Sequence, residues 1–216
     1  MNTFQDVNSY FKRYCTYYLA LEADFIATER FVTIDKDNAH SFSVEYIKQL
    51  QTICSEVEVV AKYLSSIIDD KSKCNDFTDC CKIIMDSNPL FHRATTTVPQ
   101  LDGFIIAPFF NWSYSTEKNQ KGKEYIKTNN PEWWKKYNKI KHDRTGKDPE
   151  SGINNYKYAN QRNVLNAIAA LYILNSYTIL ELCKNLNDKD TSNYFLSKWK
   201  QSSKLFDSFL VGSSMN

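Results

Sequence analysis

The sequence predicts a mainly α fold, a helical bundle of about five to six helices, and three observations predict it. Apolar residues recur at alternating spacings of three and four, Gly and Pro number only 5 each in 216 residues, and an almost unbroken apolar run extends from Val164 to Leu182. Spacings of three and four place side chains on one face of a helix, and a scarcity of the two residues that end elements leaves helices long. Hydrophobic residues make up 42% and charged residues 24%, enough apolar content for one buried core, so a single helical domain over 1–216 is expected.

Phe4, Val7, Phe11, Tyr14, Tyr18, Leu21 and Phe25 form one stripe and predict a first helix over about 4–30. A polar turn at 35–38 follows, and Ser43 with Glu45 supplies a cap and a first-turn acid for a second helix over 43–70. Its seam runs through Ile47, Leu50, Cys54, Val57, Ala61, Leu64 and Ile68, widened by Tyr46, Ile53, Val60 and Ile67. A shorter helix from Phe77 to Met85 ends before Asn88-Pro89, since a residue preceding proline is pushed out of the helical region.

The pattern then changes. Residues 89–130 read as an inserted region, with a small β-hairpin or irregular cap near 89–115 around Asp102-Gly103, and a polar exposed loop over 115–130. Asn130-Pro131-Glu132 reads as a capping amide, a proline at the first helical position and a favourable acid, opening a helix to about Asp143. A long helix over 158–186 and a last one over Asn193 to Phe209 complete the set. The 164–182 run is close to membrane-span length, but Asn166, Asn175, Thr178 and Glu181 interrupt it, so it is read as a buried core helix with no membrane partner.

The N-terminal residues show neither a basic leader nor an apolar run, which makes the cytoplasm the expected compartment. Six cysteines lack framework spacing, and the cluster Cys74, Cys80 and Cys81 lacks paired zinc-ligand spacing, so buried thiols are expected rather than disulfides or a metal. No Gly-rich phosphate loop, nucleophile elbow or paired-carboxylate metal motif occurs, and no cofactor is expected.

Charge is uneven. Between Lys118 and Lys147 ten basic residues face three acids, an excess of +7 in a chain whose net charge is +2. Adding Glu117, Asp148 and Glu150 at the edges reduces the excess to +4. Lysines interleaved with Tyr125, Trp133, Trp134 and Tyr137 suit a phosphate backbone with stacking partners, and Lys135, Lys136, Tyr137, Lys139 and Lys141 are the candidate RNA-binding residues. A solvated helix face is the plainer reading of the same lysines. Within this segment Asn138, Lys141 and His142 are helix neighbours, and His142 falls near the helix end, where the dipole favours its charged form. His40 and His92 read as surface or turn residues, while Glu56 and Glu58 flank the second helix's seam.

Tyr137-Asn138-Lys139-Ile140-Lys141-His142 resembles the signature of the HEPN superfamily, an Arg followed by a polar residue, often Asn, and a His four to six residues on. Asn138 and His142 match, and Tyr137 stands at the arginine position. The resemblance implies a compact helical bundle, RNA as partner, a homodimer meeting along the motif helices, and a metal-independent ribonuclease of a defence or toxin–antitoxin system, with an antitoxin as a further partner. The catalytic candidates are then His142 and Asn138, with Arg144 conjectured to supply the missing cation. The competing expectation is a non-catalytic interaction or scaffold module in which Trp133, Trp134 and Tyr137 are core residues.

Overall fold

The structure, a computed structural model, describes residues 3–71, 73–184, 186, 189–207 and 209–210. Met1 and Asn2 of the N-terminal stretch, Asn185 and Ser208 within the expected helices, and 211–216 of the expected domain lie outside these.

The first stripe forms α1 (Phe4–Tyr10) and α2 (Thr16–Ala27), joined by a π-helical turn at Phe11–Cys15. Thr3 opens α1 with a reciprocal capping box to Asp6. The π-turn inserts a residue into the repeat, so Cys15 enters the core and Tyr14 is only half-buried, stacked on Tyr10 and Tyr63. α3 (Val44–Ile68) starts as expected, with the Tyr46 amide donating to Ser43 Oγ at 3.0 Å. Its seam from Leu50 to Leu64 is fully buried. α4 (Phe77–Ser87) is capped by Asp76 and stops two residues before Pro89, with Asn88 as its extended C-cap.

Two β elements follow. β1 (Thr95–Val98) pairs antiparallel with β2 (Phe104–Ile106) around Asp102 and Gly103, both at positive φ, and with the short β5 (Phe209–Leu210). This is the hairpin expected near 89–115. Residues 115–130 are not a loop, however: β3 (Ser113–Lys118) and β4 (Glu124–Asn129) form a six-pair antiparallel ribbon. Asn119 closes the ribbon, its Oδ1 accepting the Lys121 and Lys123 amides, and Gly122 at φ 74 takes the left-handed position that ends the turn. A ribbon exposed on both faces has no apolar alternation, which is why its sequence looks like that of a loop.

α5 (Glu132–Asp143) has Pro131 at its N-cap with no side-chain cap. The Asn130 amide instead donates to Thr78 Oγ1 at 3.1 Å, so it ties α5 to α4 rather than capping the helix. α6 (Gln161–Lys184) is the centre, packed by α3, α7, α5, α1, α2 and β1. Of its most apolar window, 89% is buried inside the protein, the packing of a core helix. Two polar residues within it, Asn175 and Ser176, latch neighbouring helices, while Thr178 bonds within α6. Asn175 Oδ1 accepts from Tyr10 Oη at 2.6 Å, Ser176 Oγ accepts the Trp199 indole N–H at 2.8 Å, and Thr178 Oγ1 donates to the Leu174 carbonyl. Gln161, at the helix start, donates to Thr33 O and Tyr46 Oη and accepts the Asp35 amide.

α7 (Lys189–Ser202) ends seven residues short of the expected Phe209. The buried carboxylate of Glu22 stops it, accepting from Tyr18 Oη, Ser203 Oγ and the Lys204 and Leu205 amides, which turns the chain toward β5. The protein is therefore mainly α with a small β addition, as the sequence predicts.

Leu171 is fully buried at the middle of α6. Leu171→Ala should cost about 2–5 kcal/mol in urea unfolding, as large-to-small core changes do, whereas exposed Lys147→Ala should stay within about 0.5 kcal/mol. An unchanged midpoint for the first variant would mean that α6 is not the packing centre.

Candidate nucleic-acid interface

α5 is amphipathic, and its inner side decides the fate of the aromatic residues in the basic segment. Trp133, Trp134, Tyr137 and Ile140 are all buried. Trp134 lies 4.2 Å from the Phe77 ring centre, Phe77 stacks on Trp112 at 4.8 Å, and the Trp133 indole donates to the Pro108 carbonyl at 2.7 Å. Tyr137, 5.1 Å from Trp134, faces α3, and burial pushes its phenol up to about 12. The two tryptophans join α5 to α4 and to the segment before β3 and Tyr137 joins it to α3, so none of the three rings is presented for stacking on a base or for anchoring a second subunit.

The outer side carries the motif residues. Asn138 is half-buried, His142 and Arg144 are exposed, and the His142 side chain makes no hydrogen bond among the described residues. Asn138 and His142 are four residues apart and share a face. Arg144 is the helical C-cap, two residues beyond His142, and residues two apart on a helix point to nearly opposite sides. Asn138, His142 and Arg144 line none of the clefts beside Trp112, Leu101, Gln49, Leu196 or Gln201. Glu58 is paired with Lys62 at 2.5 Å, and Glu56 is half-buried with its carboxyl raised by that burial; neither bonds His142. His40 is exposed in a turn, and His92 sits in the 3₁₀ turn Phe91–Arg93.

The lysines divide into two groups. Asp148, on the loop that folds back along α5, is buried and accepts Lys139 Nζ at 2.6 Å, Lys136 Nζ at 3.4 Å and the Tyr158 hydroxyl. Lys136 also reaches Glu132 at 3.3 Å and covers the Tyr158 ring at 4.2 Å. These two lysines pin the 144–158 loop rather than stand free. The Asn155 side chain completes the closure by donating to the Asp143 carbonyl at 2.6 Å, satisfying one of the helix's terminal acceptors.

The second group is outward-facing. Lys121, Lys123, Lys135, Lys141, Arg144 and Lys147 form no ion pair among the described residues. Lys118 and Lys127 make exposed cross-strand pairs with Glu124 and Glu117 at 3.7 and 3.0 Å, which water and salt weaken. The ribbon thus offers Lys118, Lys121 and Lys123 at its tip with the exposed Tyr125 and Ile126 beside them. The lysines belong to the charge excess visible in the sequence, but the ribbon that gathers them has no signal there.

A groove of about 740 Å³ opens at the ribbon's foot, lined by Asp86, His92, Asn111, Trp112, Tyr114 and Asn129 among others. No motif announces it, because its residues come from four separate stretches of chain.

The Lys139 ammonium and the Tyr158 hydroxyl hold the Asp148 carboxyl well below the ordinary carboxylate range. A depressed carboxyl contributes stability that is present above its unfolded value of about 4 and is lost as pH falls toward its folded value. Wild-type protein should therefore lose unfolding temperature more steeply than Asp148→Asn between pH 5 and the most acid pH at which it stays folded, about pH 3. Parallel curves for the two would show that the clamp is not linked to folding. No family model, curated protein or solved structure matches the chain, so its function rests on these residues themselves.

Proposed function

We propose that this chain binds RNA through the basic surface made by the β3–β4 ribbon and the outer face and C-terminal end of α5, in a HEPN-like helical body. The observation that carries the reading is the ribbon tip, where Lys121 and Lys123 stand outside every ion pair and Tyr125 is exposed on the adjoining strand. Exposed cations displace the counterions of a phosphate backbone, and an exposed aromatic ring accepts an unpaired base of any sequence. The deep, narrow major groove of an RNA duplex keeps such side chains from base edges, so the reading is of single strands and backbone. Lys135 and Lys141 extend this surface, whereas Lys136, Tyr137 and Lys139 support it from within.

A second reading, a metal-independent endoribonuclease of a defence or toxin-type system, draws support from the half-buried Asn138 and the exposed His142 on one helix face. There His142 would take the ribose hydroxyl proton or return one to the leaving oxygen. With Tyr137 turned inward, a cation for the charged phosphorane would come from the exposed Lys141 beside Asn138 and His142, or from another chain in a homodimer meeting along α5 or an antitoxin-bound assembly. The non-catalytic version is favoured here because the position of the motif arginine is a core position.

In filter binding with a mixed-sequence single-stranded RNA, Lys121→Glu with Lys123→Glu should weaken affinity at 50 mM salt by tenfold or more. The slope of log affinity against log salt should fall by about 1 for each phosphate that the variant leaves unneutralised. An unchanged slope would refute the ribbon as the binding surface. Chelator-insensitive cleavage that disappears in His142→Ala would establish the ribonuclease reading instead.

A further inference from the structure

The groove at the ribbon's foot has a defined chemical character. Its floor continues the aromatic cluster of Phe77, Phe91, Phe109 and Trp112, and its volume of about 740 Å³ is in the range of small-molecule sites. The Trp112 indole N–H is sealed from solvent and has no hydrogen-bond partner among the described residues. An orphan donor of this kind costs folding free energy, and Trp112, which lines the groove, reports on what happens there.

The polar rim supplies both kinds of group. Asp86 accepts Tyr114 Oη and Lys82 Nζ and keeps further lone pairs. His92 Nδ1 lies 2.9 Å from the Pro89 carbonyl, an acceptor only, so Nδ1 carries the proton and Nε2 remains for another partner. Asn111 is held at φ 65 by the turn into β3, and its carbonyl takes the Asn129 amide at 2.8 Å. Lys135 Nζ donates to Asn129 Oδ1 at 2.8 Å and so stands at the groove's edge.

A bare inorganic anion would leave Asp86, His92 Nε2 and the ring lining of the groove unused. A ligand that offers donors to Asp86 and His92, acceptors to the Asn111 side chain, a flat ring against the Trp112 and Tyr114 lining and a phosphate to Lys135 suits the groove. We propose that the groove between α4, the Phe91–Arg93 turn and the foot of the ribbon is a binding site for one unpaired ribonucleotide, free or within a strand that continues along the ribbon. The in-strand form rests on the RNA-binding reading; the free form does not.

The test uses the full chain and reads the indole ¹H–¹⁵N resonance of Trp112, assigned with Trp112→Phe. Titration with each of the four ribonucleoside 5′-monophosphates should shift that resonance saturably for at least one of them, and inorganic phosphate should not. Asp86→Asn should weaken that binding about tenfold or more, and Asn111→Gly, which keeps the positive φ, should weaken it severalfold, while Lys48→Ala on the far end of α3 should leave it unchanged. A Trp112 resonance that no mononucleotide moves, an equal shift with phosphate alone, or full affinity in both groove variants would overturn the site. A single-stranded oligoribonucleotide run in parallel separates the two readings. Ribbon-dependent oligonucleotide binding without mononucleotide binding defeats the groove and leaves the ribbon surface standing. Mononucleotide binding without oligonucleotide binding does the reverse.

Discussion

Everything in this fold is arranged around the requirement that α6 be covered on all sides. From Val164 to Ile179 nearly every side chain is buried, Asn166 being the outward exception, and a helix of that kind cannot lie at a surface. α3 supplies the most extensive cover, and α1, α2, α5, α7 and β1 supply the rest. The polar residues of α6 then determine where its neighbours sit. An unpaired amide or hydroxyl in that interior costs about 1–3 kcal/mol, so Asn175 and Ser176 are useful there only because Tyr10 and Trp199 meet them. The same logic explains Glu22, a buried carboxylate accepting four donors, which determines where α7 ends and where the C-terminal segment crosses α2.

The same need for cover divides the basic segment. α5 lies against α3, α6 and Phe77 of α4 and must commit Trp133, Trp134, Tyr137 and Ile140 to that packing. Its remaining positions are left to charge, but one loop returns over them and buries a carboxylate, Asp148, which draws Lys136 and Lys139 inward. A buried charge is tolerated only when it is paired, so these lysines serve the loop first. The lysines of the ribbon have no such demand on them. A helix with its aromatic residues buried and a ribbon with its lysines exposed thus share one charge excess while doing different work.

Much of this is legible in the residues. The 3,4 stripes of 4–25 and 47–68 locate α1 to α3, Ser43 reads as a cap and is one, and the run from Val164 to Leu182 reads as a buried helix and is one. What cannot be read depends on partners distant in sequence. The length of α7 is decided by Glu22, some 180 residues away; the freedom of Asn130 to cap α5 is removed by Thr78; and the ribbon, polar on both faces, gives no periodic signal. The basic segment is visible as charge, yet which lysines stand free depends on a single carboxylate just beyond its edge, Asp148, one of the three acids that reduce the excess when the window is widened.

Position 137 shows why a short pattern and a site are different things. Four helical residues between Tyr137 and His142 turn the former about 140° away from the latter, so on a regular helix only one of the pair can face solvent fully when the other lies on the core side. With a long flexible cation at 137 the head group could reach past the helix edge toward His142, as long basic side chains do while burying their stems. A phenol cannot, and Tyr137 lies instead buried between Trp134 and α3. Replacing it with arginine would remove an aromatic core residue and put a charge beside Cys54 and Trp134, so the exchange is one the packing of α5 resists. The core therefore holds position 137 aromatic, which is why the RNA-binding proposal rests on surfaces outside α5's packed face, the ribbon and the groove at its foot.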